Sequence, residues 1–239
     1  MANQMIFKRY EFKYLLTDQQ KQRILTAMMP YMRTDQFGQS TIRNIYYDTD
    51  NFQLIRASLE KPVYKEKLRI RSYHCLTPEE NAFVELKKKY RSVVYKRRES
   101  VPLPFVQNYL ANGISLPGDS QIIQEINYFV SFYDTLAPRV FLSYNREAYY
   151  EKNNPDFRVT FDSNILCRED DLSLCSEAYG TSLLPEGTTL MEIKAAGAIP
   201  LWMTALLATE RLYRTTFSKY GTCYRNLIFP KSKGVFLYV

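Results

Sequence analysis

Long cations recur at every second position in several short runs of this sequence. Lys67, Arg69 and Arg71 alternate within Lys65–Tyr73, Lys87 and Lys89 follow Glu85 within Asn81–Tyr90, and Lys96 and Arg98 alternate within Val93–Val101. At the same spacing Lys13 follows Glu11, Arg158 precedes Thr160 and Asp162, and Lys194 follows Glu192. Residues two apart share one face of a strand, so each run lines its cations up in a row. Rows of cations brought face to face in a partly desolvated space repel, and only counter-ions stabilise them. The available counter-ions are a few carboxylates (Glu11, Glu85, Glu192) and, beyond them, an anionic ligand. Phosphate suits such a site, because arginine offers planar forks to its oxygens and lysine a point charge. Each charge-assisted hydrogen bond contributes about 1.5–3 kcal/mol. The carboxylates suit a divalent metal held against those phosphates. Internal salt bridges are the competing use of the same groups, and they would leave most of the cations unpaired.

Other chemistries are poorly supplied. The single histidine, His74, has no G-x-S-x-G nucleophile motif to serve and reads as a surface or strand-end residue. Cys75, Cys167, Cys175 and Cys223 are scattered with no C-x-x-C pair, which argues against zinc and against a disulfide framework. There is no G-x-x-x-x-G-K-[ST] loop and no G-x-G-x-x-G, so phosphates would be held by side chains.

The 239 residues carry a net charge of +7, and the window Lys65–Arg98 accounts for all of it with 11 basic and 4 acidic residues. The basic excess is one local feature, which suggests an anionic partner: nucleic acid, a phosphorylated metabolite, polyphosphate or a membrane surface. No run approaches 18 consecutive apolar residues, and Met1–Lys13 carries charge where a signal peptide needs an apolar stretch. The chain therefore reads as cytoplasmic.

The elements that must position these residues follow from periodicity. Phe7–Leu16, Ile42–Asp48, Lys65–Tyr73, Asn81–Tyr90, Val93–Val101, Val140–Tyr150, Phe157–Ser163 and Leu190–Ala195 read as strands. Thr17 and Gln20 form a capping-box pattern for a helix reaching about Tyr31, and Asp50 is a candidate cap for a short helix through Ser58. Residues 102–134 read as helical with breaks at Gly113 and Pro117, as do Pro200–Leu212 and Lys219–Ile228. The tyrosines Tyr10, Tyr14, Tyr46, Tyr47 and Tyr144 read as wall packing, and Trp202 as core or as part of a helix at a barrel mouth. No linker divides the chain, so residues 1–239 read as one α+β domain on an antiparallel sheet or barrel. A closed barrel would turn the cationic rows into a tunnel.

In order along the chain, Arg9-Tyr-Glu11-Phe-Lys13-Tyr, Asn44-Ile-Tyr-Tyr-Asp48, Lys67-Leu-Arg69-Ile-Arg71-Ser-Tyr73, Glu85-Leu-Lys87-Lys-Lys89 and Lys96-Arg-Arg98 are followed by Tyr144-Asn-Arg146, Arg158-Val-Thr-Phe-Asp162, Glu192-Ile-Lys194 and Ser218-Lys219-Tyr220. This series, spanning residues 6–225, resembles the polyphosphate polymerase domain of the vacuolar transporter chaperone (VTC), within the triphosphate tunnel (CYTH-like) superfamily. The resemblance implies an eight-stranded antiparallel β-barrel tunnel with flanking helices, lined by Lys13, Arg69, Arg71, Lys87, Lys96, Arg146, Arg158 and Lys219. With Lys67, Lys89, Arg98 and Lys194 from the cationic rows, these form the expected phosphate-binding set, and Arg69, Arg71, Lys87 and Lys96 the expected catalytic one. Glu192 would hold Mn²⁺ or Mg²⁺, with Glu11 and Glu85 as further candidates. The reaction implied is transfer of the γ-phosphoryl group of ATP to a growing polyphosphate chain.

Two departures bear on this. Arg9 stands where classical triphosphatases of the superfamily carry a glutamate, which favours the polymerase branch. Thr216 stands where a second lysine is expected ahead of Lys219. The sensor domain and membrane segment of the eukaryotic relatives are not found in these residues, so regulation by that sensor and coupled translocation do not carry over, and a separate membrane partner stays open. The alternatives are a triphosphate or nucleoside-triphosphate hydrolase of the same fold, and a non-catalytic module for polyphosphate or RNA. Interleaved tyrosines and basic strands can form a nucleic-acid-binding sheet, but a narrow closed barrel admits no duplex.

Overall fold

The computed structural model describes residues 10–91, 93–112 and 115–231. Its strands are β1 (Tyr10–Thr17), β2 (Met32–Asp48), β3 (Tyr64–Ser72), β4 (Asn81–Tyr90), β5 (Val93–Pro102), β6 (Ala137–Glu151), β7 (Arg158–Arg168), β8 (Thr181–Ser182) and β9 (Thr188–Ala195). Its helices are α1 (Asp18–Met28), α2 (Gln53–Leu59), α3 (Leu103–Asn112), α4 (Gln121–Phe132), α5 (Leu201–Thr209) and α6 (Lys219–Cys223), the last running into a π-helical turn at Tyr224–Ile228.

One antiparallel sheet runs in the order β1-β9-β7-β6-β2-β3-β4-β5, with the two-residue β8 added beside β7. The sheet is rolled, and among the described residues backbone hydrogen bonds do not close it, because β1 and β5 are its unjoined edges. Side-chain charge spans the gap instead: the Glu11 carboxylate of β1 acts on Lys87 of β4. The α+β tunnel architecture is thus present as a rolled sheet with a seam.

Alternation sorts the side chains. On β1 the even positions Phe12, Tyr14 and Leu16 pack outward with Ile24 and Met28 of α1 and Met203 and Leu207 of α5. On the outer face of β3 and β4, Leu68, Ile70, Val84 and Leu86 pack with Val106 of α3 and Ile126 of α4. Each such side chain contributes about 1.5–3 kcal/mol on burial, and the odd-numbered cations are thereby fixed on the inner face. At one end the inner face is itself apolar. Ile42, Tyr46, Leu142 and Leu190 pack there with Tyr220, Cys223 and Tyr224, so α6 sits within the roll.

Local signals explain the ends. Thr17 and Gln20 form the anticipated reciprocal capping box, which starts α1 at Asp18. Asp50 does not cap α2. The Asp48 carboxylate does so, accepting from the backbone amides of Leu54 (2.8 Å) and Ile55 (3.0 Å), while Thr49 Oγ1 accepts from Gln53. Phe52, at φ 57°, makes the turn that brings those amides round. β2 begins at Met32, ten residues before the predicted strand. Its polar first half lacks the alternation that signals a strand, and it is held by pairing with β6 across an irregularity between Thr34 and Gln39, where Gly38 supplies φ 56°. β7 likewise runs past Ser163 to Arg168, turned at Asn164 (φ 49°). The predicted start of β1 at Phe7, the residue Arg9 and the break at Gly113 lie outside the described residues.

Candidate functional site

The inner face gathers its cations around two carboxylate hubs. The first is Glu85, 1% exposed, on β4. Register places it opposite Arg69 of β3 and Arg98 of β5. Its Oε2 accepts from Arg69 Nε (2.8 Å) and lies 3.8 Å from Arg71, and its Oε1 takes Lys96 (2.9 Å) and Arg98 Nε (2.7 Å). Burial by itself would raise this carboxyl, but the four cations overcome burial and hold it well below the usual carboxylate range. Each arginine is oriented by a second partner. Arg69 donates to the Tyr46 hydroxyl (3.1 Å), Arg71 to Asn44 Oδ1 (2.9 Å) and the Tyr144 hydroxyl (3.2 Å), and Arg98 to the Tyr73 hydroxyl.

The second hub joins Glu192 of β9 and Asp162 of β7. Arg146 of β6 forks onto Asp162 (2.6 and 2.7 Å) and reaches Glu192 at 3.6 Å. Lys219 bridges Asp162 (2.6 Å) and Glu192 (3.3 Å). Lys194 (3.2 Å) and Lys13 (3.5 Å) complete the ring on Glu192. Lys13 also contacts Glu11 at 3.1 Å and donates to the Phe217 carbonyl at 2.8 Å. Burial would raise the Glu192 carboxyl, and Lys219, Lys194, Lys13 and Arg146 hold it well below its ordinary value. Conversely, burial would lower Lys219, and Asp162 and Glu192 keep it above the usual lysine range. Lys219 stands there because Ser218 caps α6 and accepts from the Gly221 amide (3.2 Å). A Cβ at Gly221 would lie 3.0 Å from Leu59 of α2.

Between the hubs lie lysines without an ion-pair partner among the described residues. Lys67 and Lys87 face each other across β3 and β4, with Lys65 opposite Lys89 one step further out. Lys87 is solvent-accessible yet surrounded by protein, as expected for a side chain projecting into a wet bore. Burial lowers both Lys67 and Lys87, and Lys67 falls to about 8. Altogether ten cations (Lys13, Lys67, Arg69, Arg71, Lys87, Lys96, Arg98, Arg146, Lys194, Lys219) share this face with four carboxylates (Glu11, Glu85, Asp162, Glu192).

Two sequence-predicted residues fall outside both the hubs and the Lys67–Lys87 pair between them. Arg158 lies exposed at the rim, beside Lys194 in register, and donates to the Pro155 carbonyl (3.2 Å). Lys89 extends the lysine row outward. Asp162, Asn44, Tyr46 and Tyr144 were not among the predicted site residues. Asp162 was on the correct face and in a quoted motif, so its spacing was the available signal. Tyr46 and Tyr144 were read as packing, because nothing in their spacing reveals that their hydroxyls hold arginines. His74 is exposed and pairs with Glu80 (2.8 Å) away from the bore. An open cavity of about 480 Å³ lies elsewhere, beside Cys167 and Cys223, with a balanced lining of Arg168, Lys231, Glu169 and Asp170.

Among the described residues no three His, Cys, Asp or Glu side chains stand close enough to form a metal site by themselves. Both Glu85 oxygens are occupied by cations. Glu192 is near enough to Glu11 to raise it, yet the lysines around them hold both carboxyls below their ordinary value. That donor set fits an ion arriving with phosphate, since Mg²⁺ is commonly held by one or two carboxylates plus substrate phosphates.

The VTC domain profile matches residues 8–228 of the chain. No curated protein sequence matches it. Among solved structures, a candidate adenylate cyclase from Bacillus halodurans aligns with TM-score 0.56 and 15% identity, over 90% of this chain and 95% of that one. A candidate adenylyl cyclase from Hippeastrum, described as having a dominant triphosphatase activity, aligns with TM-score 0.53 and 18% identity, over 90% and 94%. A candidate adenylate cyclase from Vibrio parahaemolyticus aligns with TM-score 0.51 and 13% identity, over 92% and 98%. These likenesses establish a shared tunnel fold. No helix among the described residues is long and apolar enough to cross a membrane.

Proposed function

The chain belongs to the VTC domain family, and on that premise we propose that it is a polyphosphate polymerase that uses ATP. The observation that carries the reading is the excess of ten inward cations over four carboxylates, with Lys67 and Lys87 lacking an ion-pair partner among the described residues. Such an excess in a desolvated space is costly, and an anion of high charge density offsets that cost. The γ-phosphoryl group passes to the terminal oxygen of the chain, the bond from Pγ to the β,γ-bridging oxygen breaks, and ADP leaves. Such transfer needs positioning and charge neutralisation, without a protein nucleophile.

In this reading Arg69, Arg71, Lys87 and Lys96 neutralise the transferring group. The Glu85 hub pre-orients three of them, so little reorganisation remains for the reaction. Lys13, Lys67, Arg98, Arg146, Lys194 and Lys219 hold phosphates along the bore, with Lys89 and Arg158 at its ends. Glu192 and Glu11 would hold Mn²⁺ or Mg²⁺, which when bound would supply further neutralisation of phosphate charge. Glu85 is not assigned to the metal, because Arg69, Arg98 and Lys96 hold its oxygens at 2.7–2.9 Å, whereas the cations around Glu192 stand 3.2–3.6 Å off.

A triphosphate hydrolase is the second reading, favoured by the triphosphatase activity of the Hippeastrum neighbour. Incubation of the purified protein with ATP and Mn²⁺, with products resolved by gel and ³¹P NMR, decides between them. Long phosphate chains with ADP, lost in Arg69→Ala/Arg71→Ala, support the polymerase. Orthophosphate or pyrophosphate without chains points to the hydrolase. Bound polyphosphate without turnover leaves a binding module.

A further inference from the structure

Thr160 sits in the middle of the second hub, yet its hydroxyl has no partner among the described residues. Its residue is 7% exposed, and Oγ1 is buried with no hydrogen-bond partner among the described residues. Alternation on β7 puts it on the inner face between Arg158 and Asp162, because Val159 and Phe161 pack in the outer core. Register sets it beside Glu192 on β9 and Ala148 on β6. Ala148 projects no more than a methyl group, so the β6 neighbour offers the hydroxyl no acceptor.

The obvious acceptors are already taken. Glu192 Oε1 faces Lys13 and Lys219, and its Oε2 faces Lys194 and Arg146. Asp162 Oδ1 is bound by Arg146, and Oδ2 by Arg146 and Lys219. A buried hydroxyl without a partner is costly, and native structures seldom leave one unexplained. The surrounding field attracts anions, and an arriving anion brings the acceptor the hydroxyl lacks. We infer that Thr160 is a phosphate-binding residue whose hydroxyl donates to a non-bridging oxygen of a bound phosphate chain at the Glu192 end of the bore. The inference rests on the phosphate reading of the tunnel and adds to it a neutral donor among the cations. A neutral donor distinguishes oxygens by position, where lysines respond mainly to charge.

The test is calorimetric titration of tripolyphosphate into the intact protein and into Thr160→Val, Thr160→Ser and Thr160→Ala, with urea midpoints for each. Valine preserves the shape and removes only the hydroxyl. The expected result is roughly tenfold weaker binding in Thr160→Val and Thr160→Ala, as the loss of one such hydrogen bond gives. Thr160→Ser should restore it, and the Thr160→Val midpoint should be unchanged or raised. Unaltered affinity in Thr160→Val would overturn the inference and leave a bound water as the partner. So would weakened binding that serine does not restore. If the unsubstituted protein itself fails to bind tripolyphosphate, the phosphate reading falls, and the inference with it.

Discussion

Lys67 and Lys87 stand directly opposite one another on β3 and β4, with no carboxylate of the described residues paired to either. Like charges so placed destabilise a strand pair, and burial adds to the cost, drawing Lys67 from the ordinary 10.5 to about 8. Because its folded value is lowered, the unfolded chain binds more protons here. Stability therefore rises with pH between about 8 and 10.5 from this group. Binding runs the other way. Phosphate favours the ammonium form, so tripolyphosphate affinity should fall as pH rises through 8, with proton uptake on binding. Titration calorimetry at pH 8 in buffers of different ionisation enthalpy measures that uptake, and Lys67→Met should reduce it sharply. Equal uptake in the variant would mean that another group titrates.

Glu85 gives the opposite sign. Its folded value lies well below the ordinary 4.5, so its stabilisation is present above that value and is lost as pH falls below it. Glu85→Gln removes the charge from the centre of four cations and should cost about 3–5 kcal/mol, read from urea midpoints. Tripolyphosphate should then raise the melting temperature of the variant more than that of the unsubstituted protein, because the ligand supplies the missing charge. An equal shift in both would show that the ligand does not reach this hub.

The sequence disclosed the inner face better than it disclosed the strands. Lys67, Arg69 and Arg71 alternate with Leu68 and Ile70, and that period alone sorts them to opposite faces. The length of β2 was hidden, because Met32–Thr41 is polar and is held by its pairing with β6. The role of Tyr144 was hidden too. A tyrosine on a strand reads as packing, and only the fold shows its hydroxyl on Arg71 while its ring lies 4.5 Å from Lys219. It thereby ties the two hubs together. Asp48 was legible as a strand end, but its carboxylate acts on residues far along the chain, which periodicity cannot register.

That carboxylate couples α2 to α6. It accepts from the amides of Thr49, Leu54 and Ile55 and from the Tyr220 hydroxyl at 2.8 Å. Tyr220 follows Lys219, so the same contact helps to place Lys219 at the second hub. Asp48→Asn puts an amide nitrogen against at least one of these donors and should cost about 3 kcal/mol or more. Tyr220→Phe should cost about 1–3 kcal/mol, since three backbone donors remain on the carboxylate. A double-mutant cycle in urea should show strong non-additivity. Simple additivity would mean that the hydroxyl and the carboxylate are not coupled.

The lysine row beyond the bore separates a polymer from a short ligand. Lys65 and Lys89 face each other outward of Lys67 and Lys87, and Lys65 reaches only the Ser58 carbonyl (3.2 Å). A triphosphate neutralised at the two hubs has no phosphate left to reach them, whereas a long chain continues past. Lys65→Gln with Lys89→Gln should therefore weaken long-chain polyphosphate by roughly tenfold at low salt and make its affinity less salt-dependent, as for any polyanion bound through released counter-ions. Tripolyphosphate should change by no more than about twofold, within what altered long-range field alone produces. Binding of chains of graded length by calorimetry measures both. If short and long chains lose affinity equally, the outer lysines act only through the general field, and the site is fitted to a triphosphate; if only long chains lose it, the row is the path of a growing chain.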